Sequence, residues 1–127
     1  DKIGYASNNL AFTWPHGLDV EIFSRDILDK ACSLTTKSYD REHVTPWIRN
    51  EKKIKKINLE CDLKLNLNMR LTIDYIEDYE FLKKLASMTN TVFSELSISE
   101  INEIINKNPS LLDINKERQI RMNNVNS

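Results

Sequence analysis

Glycine is nearly absent from this 127-residue sequence, which has only Gly4 and Gly17. A loop that wraps backbone N–H groups around a phosphate needs several glycines, so the P-loop and the dinucleotide fingerprint are both excluded. Cysteine is equally scarce. Cys32 and Cys61 are too few for a disulfide framework and lack the paired spacing of a zinc site, so both are expected to be buried or idle thiols. Neither charge dominates: 18 Lys and Arg stand against 19 Asp and Glu, a net charge of −1 that gives no field to gather nucleic acid or an anionic membrane. The short basic cluster Lys52 to Lys56 reads as the solvent side of a strand. No apolar run approaches the roughly 20 residues of a membrane span, and no signal peptide opens the chain, so a cytoplasmic protein is expected. A nucleophile elbow, an HExxH helix and a Ser, His, Asp order suited to acyl transfer are also missing.

What is present fits one globular α/β domain: 40% of residues are hydrophobic and 29% charged. Such a domain would cover residues 1–115, followed by a polar and mobile tail at 116–127. The chain is organised around Arg70 to Leu85. Arg70 to Ile73 have the apolar, β-branched character of a short buried strand. From Ile76 the apolar side chains Ile76, Tyr79, Leu82, Leu85 and Ala86 recur at helical spacing. Asp74 therefore sits where a strand ends and a helix begins. In open α/β sheets ligands collect at such corners, so Asp74 could hold a cation beside a phosphate. It could equally form a capping box with Glu77 three residues on, and its position alone leaves both readings open.

Along the chain, a few strand-like residues around Ile3 to Ala6 lead into a polar turn. Pro15 and Gly17 then bracket His16 in a tight loop. Leu18, Val20 and Ile22 alternate with Asp19 and Glu21, as in a half-buried strand with an acidic outer face. His16, Asp19 and Glu21 could bind a polar ligand or complete a metal shell, or could simply be solvated. Ser24 supplies an N-cap for a packing helix to about Leu34, with Ile27, Leu28, Ala31 and Leu34 inward. Asp40 can cap a short helix carrying Arg41, Glu42 and His43 near its N-terminus, and Pro46 opens a further turn anchored by Trp47 and Ile48. His43 is a candidate base or nucleotide contact, or a hydrogen-bonded structural residue. A strand is expected over Lys53 to Leu59. Leu63, Leu65, Leu67 and Met69 then alternate as in a strand or an extended connection. The helix after Asp74 should end near Thr89. Ser97 and Glu100 form a second capping box ahead of Ile98, Ile101, Ile104 and Ile105, and Pro109 follows that helix's end.

Four segments carry more than these local signals: TWPHGLDVEIFS (13–24), YDREHVTPWIRN (39–50), LTIDYIEDYEFL (71–82) and NPSLLDIN (108–115). In order and spacing they are similar to the cytidylyltransferases of the SpsF type, named for spore-coat polysaccharide synthesis and related to the CMP-Kdo and CMP-acylneuraminate synthetases. The chain resembles the C-terminal half of such an enzyme. The family's N-terminal half, with its nucleotide-binding loop and first metal-binding aspartate, has no counterpart here. The resemblance implies a three-layer α/β/α fold of the nucleotide-diphospho-sugar transferase type. It also implies the attack of a sugar or sugar-acid hydroxyl on the α-phosphate of CTP, giving a CMP-sugar and pyrophosphate. Magnesium is the implied cofactor and Asp74 its implied ligand. His16, Gly17, Asp19 and Glu21 would line the sugar side, with Arg41, Glu42 and His43 supporting or contacting substrate. The missing half, in cis or trans, is an implied partner, and a homodimer is a further one. Leu71, where an aromatic residue is usual, and Ile76, where proline is usual, depart from the family pattern. A chain opening on Asp1 rather than methionine agrees with a portion of something longer. A non-catalytic remnant or assembly module of the same fold stays open, as does a metal-dependent hydrolase using Asp74, His16 and His43.

Overall fold

The computed structural model describes residues 3–119 as a mixed α/β structure. Two compact units divide the chain: Asp1–Phe12 with Asp19–Glu60, and Thr13–Leu18 with Cys61–Ser127. Residues 1–2 and 120–127, which include Ile120 and most of the expected tail, lie outside the described residues.

The first unit is built on a three-stranded sheet. Strand β1 (Tyr5–Ser7) pairs antiparallel with β2 (Glu21–Phe23) and parallel with β3 (Lys56–Asn58), in the order β2-β1-β3. Side chains alternate across such a sheet. Tyr5 and Phe23 therefore point to one face, where they meet Ala31, Ile48, Ile27, Trp47 and Ile54. Ala6, Ile22 and Ile57, which share one cross-strand row, turn to the other face, and Ile22 is 59% exposed.

The expected strand from Leu18 to Phe23 is thus shorter and inverted. Val20 and Ile22 face outward and Glu21 inward, because Glu21 finds three donors there and its burial costs little. Helix α1 (Arg25–Leu34) starts as expected, with Ser24 Oγ accepting the Ile27 N–H at 3.4 Å. Ala31 is its buried contact, whereas Leu34 is 63% exposed. Helix α2 (Ser38–His43) is capped by the Lys37 backbone, with Asp40 inside the first turn, so Arg41 and His43 lie in the last turn rather than at the N-terminus. Val44, at φ 64° and ψ −50°, ends it in a tight turn closed by Thr45 N–H donating to His43 C=O at 2.7 Å. Helix α3 (Pro46–Asn50) follows, with Pro46 in its first turn, where a missing N–H costs nothing, and Ile48 fully buried. Cys32 is exposed rather than buried.

The second unit is helical. Helix α4 (Ile76–Ala86) packs Phe81 and Leu85, and helix α5 (Ile98–Lys107) packs Ile101 and Ile105, around a core completed by Met69 and Leu111. The Ser97 box forms as expected: Ser97 Oγ accepts the Glu100 N–H, and Glu100 Oε2 accepts the Ser97 N–H at 2.8 Å. Short 3₁₀ turns occupy Phe93–Glu95 and Pro109–Asp113. Helix α4 stops at Ala86, three residues before the expected end, and its inner face is Asp78, Phe81 and Leu85. Ile76 and Tyr79, expected inside, are 65% and 48% exposed. Leu63 to Met69 form no strand. Only Met69 of the alternating set is fully buried, and Asn102 of α5 ties the connection down by accepting the Asn66 N–H at 2.9 Å. The expected strand at Arg70 to Ile73 reduces to one parallel bridge between His16 and Arg70. Residues 116–119 are not a loose tail: they continue as a helical turn on Asn115. Among the described residues no helix is long and apolar enough to cross a membrane.

Candidate functional site

In the second unit, polar groups converge where α4 begins. Arg70 is 2% exposed and Asp78 is fully buried, and Arg70 Nε donates to Asp78 Oδ1 at 2.9 Å. Asp78 lies on the apolar face of α4, so it must find partners, and it does. Asn115 Nδ2 donates to Oδ1 at 3.1 Å, and the backbone N–H groups of Asp74 and Tyr75 donate to Oδ2 at 3.2 Å each. Burial alone would raise this carboxyl, but the Arg70, Asp74 backbone and Asn115 hydrogen bonds outweigh it and hold Asp78 below the usual carboxylate range.

This arrangement corrects the capping expectation. Asp78 takes the N–H groups that open α4, Tyr75 is the N-cap residue, and Glu77 pairs with Arg118 at 2.8 Å. Asp74 caps nothing. Its Oδ2 accepts from Arg70 Nη2 at 2.5 Å, and its side chain is 56% exposed. The Arg118 hydrogen bond holds Glu77 below its ordinary value, and the Arg118 guanidinium stacks 4.2 Å from the Tyr75 ring centre.

His16 and Gly17 close the same corner. His16 C=O accepts the Leu71 N–H at 2.8 Å. At Gly17 the backbone has φ +99°, and an added Cβ would meet Leu71 C and O at 2.5 Å, so only glycine lets this loop lie on residues 71–72.

The other sequence candidates are in the first unit. Glu21 Oε1 accepts from Tyr5 Oη at 2.5 Å, Thr45 Oγ1 at 3.1 Å and Arg49 Nη1 at 3.2 Å. Burial, and then the hydrogen bond to Glu21, push the Tyr5 phenol up to about 12. Asn9 joins the network, accepting from Ser7 and Arg49 and donating to Asp19 Oδ1 at 3.0 Å. His43 packs against Tyr39 with ring centres 4.4 Å apart and planes tilted by 55°, and Arg41 lines a groove of about 480 Å³ with Arg25, Asp29 and Asp40. The structure thus gathers His16, Gly17 and Asp74 in one unit and Asp19 with Glu21 in the other, where Arg41 and His43 lie on a separate helix.

Arg70, Asp78, Asn115, Tyr5 and Arg49 were missed as polar partners. Asp78 left a signal: it is the one charged residue of the inward series 78, 81, 85, and a carboxylate on a core-facing stripe requires a buried cation. Asp74 offers a hard, half-exposed carboxylate oxygen donor of the kind magnesium takes one or two of beside phosphate oxygens. Among the described residues no group of three or more His, Cys, Asp and Glu could hold a metal.

The chain is similar to the solved structure of a cytidylyltransferase from Leptospira borgpetersenii serovar Hardjo-bovis, with TM-score 0.77 and 36% sequence identity over 87% of this chain and 45% of that one. It is also 36% identical over 101 residues to an uncharacterized protein of Methanocaldococcus jannaschii, covering 78% of this chain and 41% of that protein. The chain therefore spans less than half the length of either relative. No family model matches it.

Proposed function

We propose that the chain forms part of a cytidylyltransferase that activates a sugar or sugar acid with CTP, giving a CMP-sugar and pyrophosphate for cell-surface or spore-coat polysaccharide synthesis in the cytoplasm. The observation that carries this reading is the likeness to the Leptospira cytidylyltransferase in both fold and sequence. Polypeptide corresponding to the unmatched part of that enzyme, in cis or trans, completes the site. Asp74 is the proposed magnesium ligand, and the ion when bound would offset charge developing on the phosphates. Arg70 fixes one oxygen of Asp74 and leaves the carboxylate half-exposed, while Asp78 and Asn115 hold Arg70 in place. These three are positioning residues. His16, Gly17, Asp19 and Glu21 are proposed to line the sugar side, and Arg41, Glu42 and His43 to support or contact substrate, each open to its own substitution.

The test is pyrophosphate release from CTP, with magnesium and a panel of sugar acids, by the chain assembled with the polypeptide that completes it. Asp74→Asn should lower turnover by about 100-fold or more while leaving folding intact. Full activity in that variant removes Asp74 from the metal shell. A second reading, a non-catalytic assembly module or homodimer of the same fold, is favoured by the exposed Ile73, Ile76 and Tyr79. It predicts a stable assembly by light scattering and no pyrophosphate release.

A further inference from the structure

We propose that the turn at Val44 is a positioning element: a strained backbone, held by the hydrogen bond from Thr45 to Glu21, sets the direction of helix α2, which carries Arg41 and His43, beside the groove that α2 shares with α1. Val44 and Thr45 are then positioning residues, and their bearing on substrate rests on the reading above in which Arg41 and His43 support or contact it.

Three observations lead there. The first is the strain. At φ 64° and ψ −50°, Val44 occupies the centre of a three-residue turn that is rare and unfavourable, and for a β-branched residue a positive φ of this kind is an outlier. Packing of the side chain does not offset that cost, since Val44 is 45% exposed. Such a conformation persists only where its surroundings hold it.

The second is that the turn is held from one side. Downstream, Thr45 is 7% exposed, its Oγ1 donates to Glu21 Oε1 at 3.1 Å, and its C=O accepts the Arg49 N–H at 2.9 Å, with Ile48 of α3 fully buried. Glu21 is itself fixed on β2 by Tyr5 and Arg49, which donate to the same oxygen. Upstream, α2 has no buried residue, and no side chain caps its start.

The third is the space behind α2. Leu28, Cys32 and Thr35 of the α1 side face Asp40, Arg41 and Val44 across the groove, so this part of α2 is not packed down on α1. A strained turn anchored on one side relaxes by moving the other. Loss of the Thr45–Glu21 bond therefore moves α2 and leaves α3 in place.

The experiment attaches a nitroxide to Cys32, which is exposed and lines the groove, in the full chain carrying Cys61→Ser, and reads the paramagnetic broadening of the Asp40 and Arg41 amides by NMR. Thr45→Val, which keeps the shape and removes the hydroxyl, should change that broadening. Thr45→Ser should restore it. Val44→Gly added to Thr45→Val should restore most of it, because glycine takes this turn without strain. Arg25→Ala, which breaks an exposed ion pair beside the same groove, should leave the broadening unchanged. Val44→Gly alone should raise the urea midpoint read by Trp47 fluorescence in a Trp14→Phe background. Broadening indifferent to Thr45→Val, a change that Val44→Gly does not reverse, or a urea midpoint lowered by Val44→Gly would each overturn the proposal. In the pyrophosphate-release assay, Thr45→Val should raise the KM for the sugar by about tenfold with kcat little changed, and Thr45→Ser should restore it. An unchanged KM with α2 displaced would overturn the bearing on substrate. Displacement of α2 as stated, with no pyrophosphate released even by the parent assembly, would overturn cytidylyl transfer and leave the Val44 turn as the element that places α2. Turnover with α2 indifferent to Thr45→Val would do the reverse.

Discussion

Both compact units hold an arginine–carboxylate pair against an apolar cluster, and they solvate it in opposite ways. In the first unit Glu21 and Arg49 keep 25% and 35% exposure, so water supplies part of their solvation and a tyrosine and a threonine hydroxyl supply the rest. In the second unit Arg70 and Asp78 are 2% and 0% exposed, and every interaction must come from protein. Asp78 accordingly gathers four donors, and Arg70 a second carboxylate and the Tyr75 ring at 5.8 Å. A charge that water reaches tolerates an imperfect partner; a charge that water cannot reach does not. The consequence for function is positional. Because Asp78 does the capping, Asp74 is left at the helix start as an exposed carboxylate steered by Arg70.

The largest break in this contrast should come from Asp78→Asn, which leaves Arg70 buried without its main counter-charge. Urea unfolding followed by Trp14 fluorescence in a Trp47→Phe background should show a loss of about 3–5 kcal/mol. A loss below about 1 kcal/mol would place this pair in the forgiving class of the first unit. Acid should act in the same direction. Since Asp78 titrates lower in the folded chain, its contribution is present above the unfolded carboxylate range and disappears as pH falls through its folded value.

Gly17→Ala comes next. With φ at +99° and backbone atoms 2.5 Å from the new Cβ, it should cost about 1–3 kcal/mol and disturb the Leu71 amide, read by the same unfolding curve and by hydrogen exchange.

The smallest effect should be Glu21→Gln in the first unit, about 1 kcal/mol by Trp47 fluorescence in a Trp14→Phe background. Its sharper readout is the Tyr5 phenol, which should fall from about 12 toward 10.0 in an ultraviolet titration. The folded Tyr5 value is raised, so its contribution is complete below the unfolded value and is lost as pH rises through about 12. The first unit should therefore be the alkali-sensitive one, and an unchanged Tyr5 titration in Glu21→Gln would remove Glu21 from that account.

Helices α1 and α5 and the strands of the first unit were legible, whereas the strand patterns of the second unit were not. The Ser24 cap, the Ser97 and Glu100 box and the apolar spacing of α5 act within a few residues of chain, and all three stand as the sequence implied. Arg70 to Ile73 and Leu63 to Met69 also carry strand patterns, but a strand exists only beside a partner. Among the described residues the first finds one bridge and the second finds none. The choice of face failed in the same way. Apolar alternation placed Val20 and Ile22 inside, yet Glu21 turned in once Tyr5, Thr45 and Arg49 surrounded it. At the candidate site the sequence singled out Asp74, His16 and Gly17, and the structure brings them to one corner of one unit. It gave Arg70 no role there beyond a strand position, because an ion pair eight residues apart across a turn has no local signature.

The sequence by itself determined helices α1 and α5 with their caps, the exclusion of a glycine-rich phosphate cradle and the likeness to a cytidylyltransferase, since each rests on residue identities at short range or in fixed order. Only the tertiary structure decided which carboxylate caps α4 and which is left exposed. Asp74 and Asp78 are chemically identical and both accept from Arg70; the difference between them is burial, with Asn115 and the Asp74 and Tyr75 N–H groups reaching only Asp78.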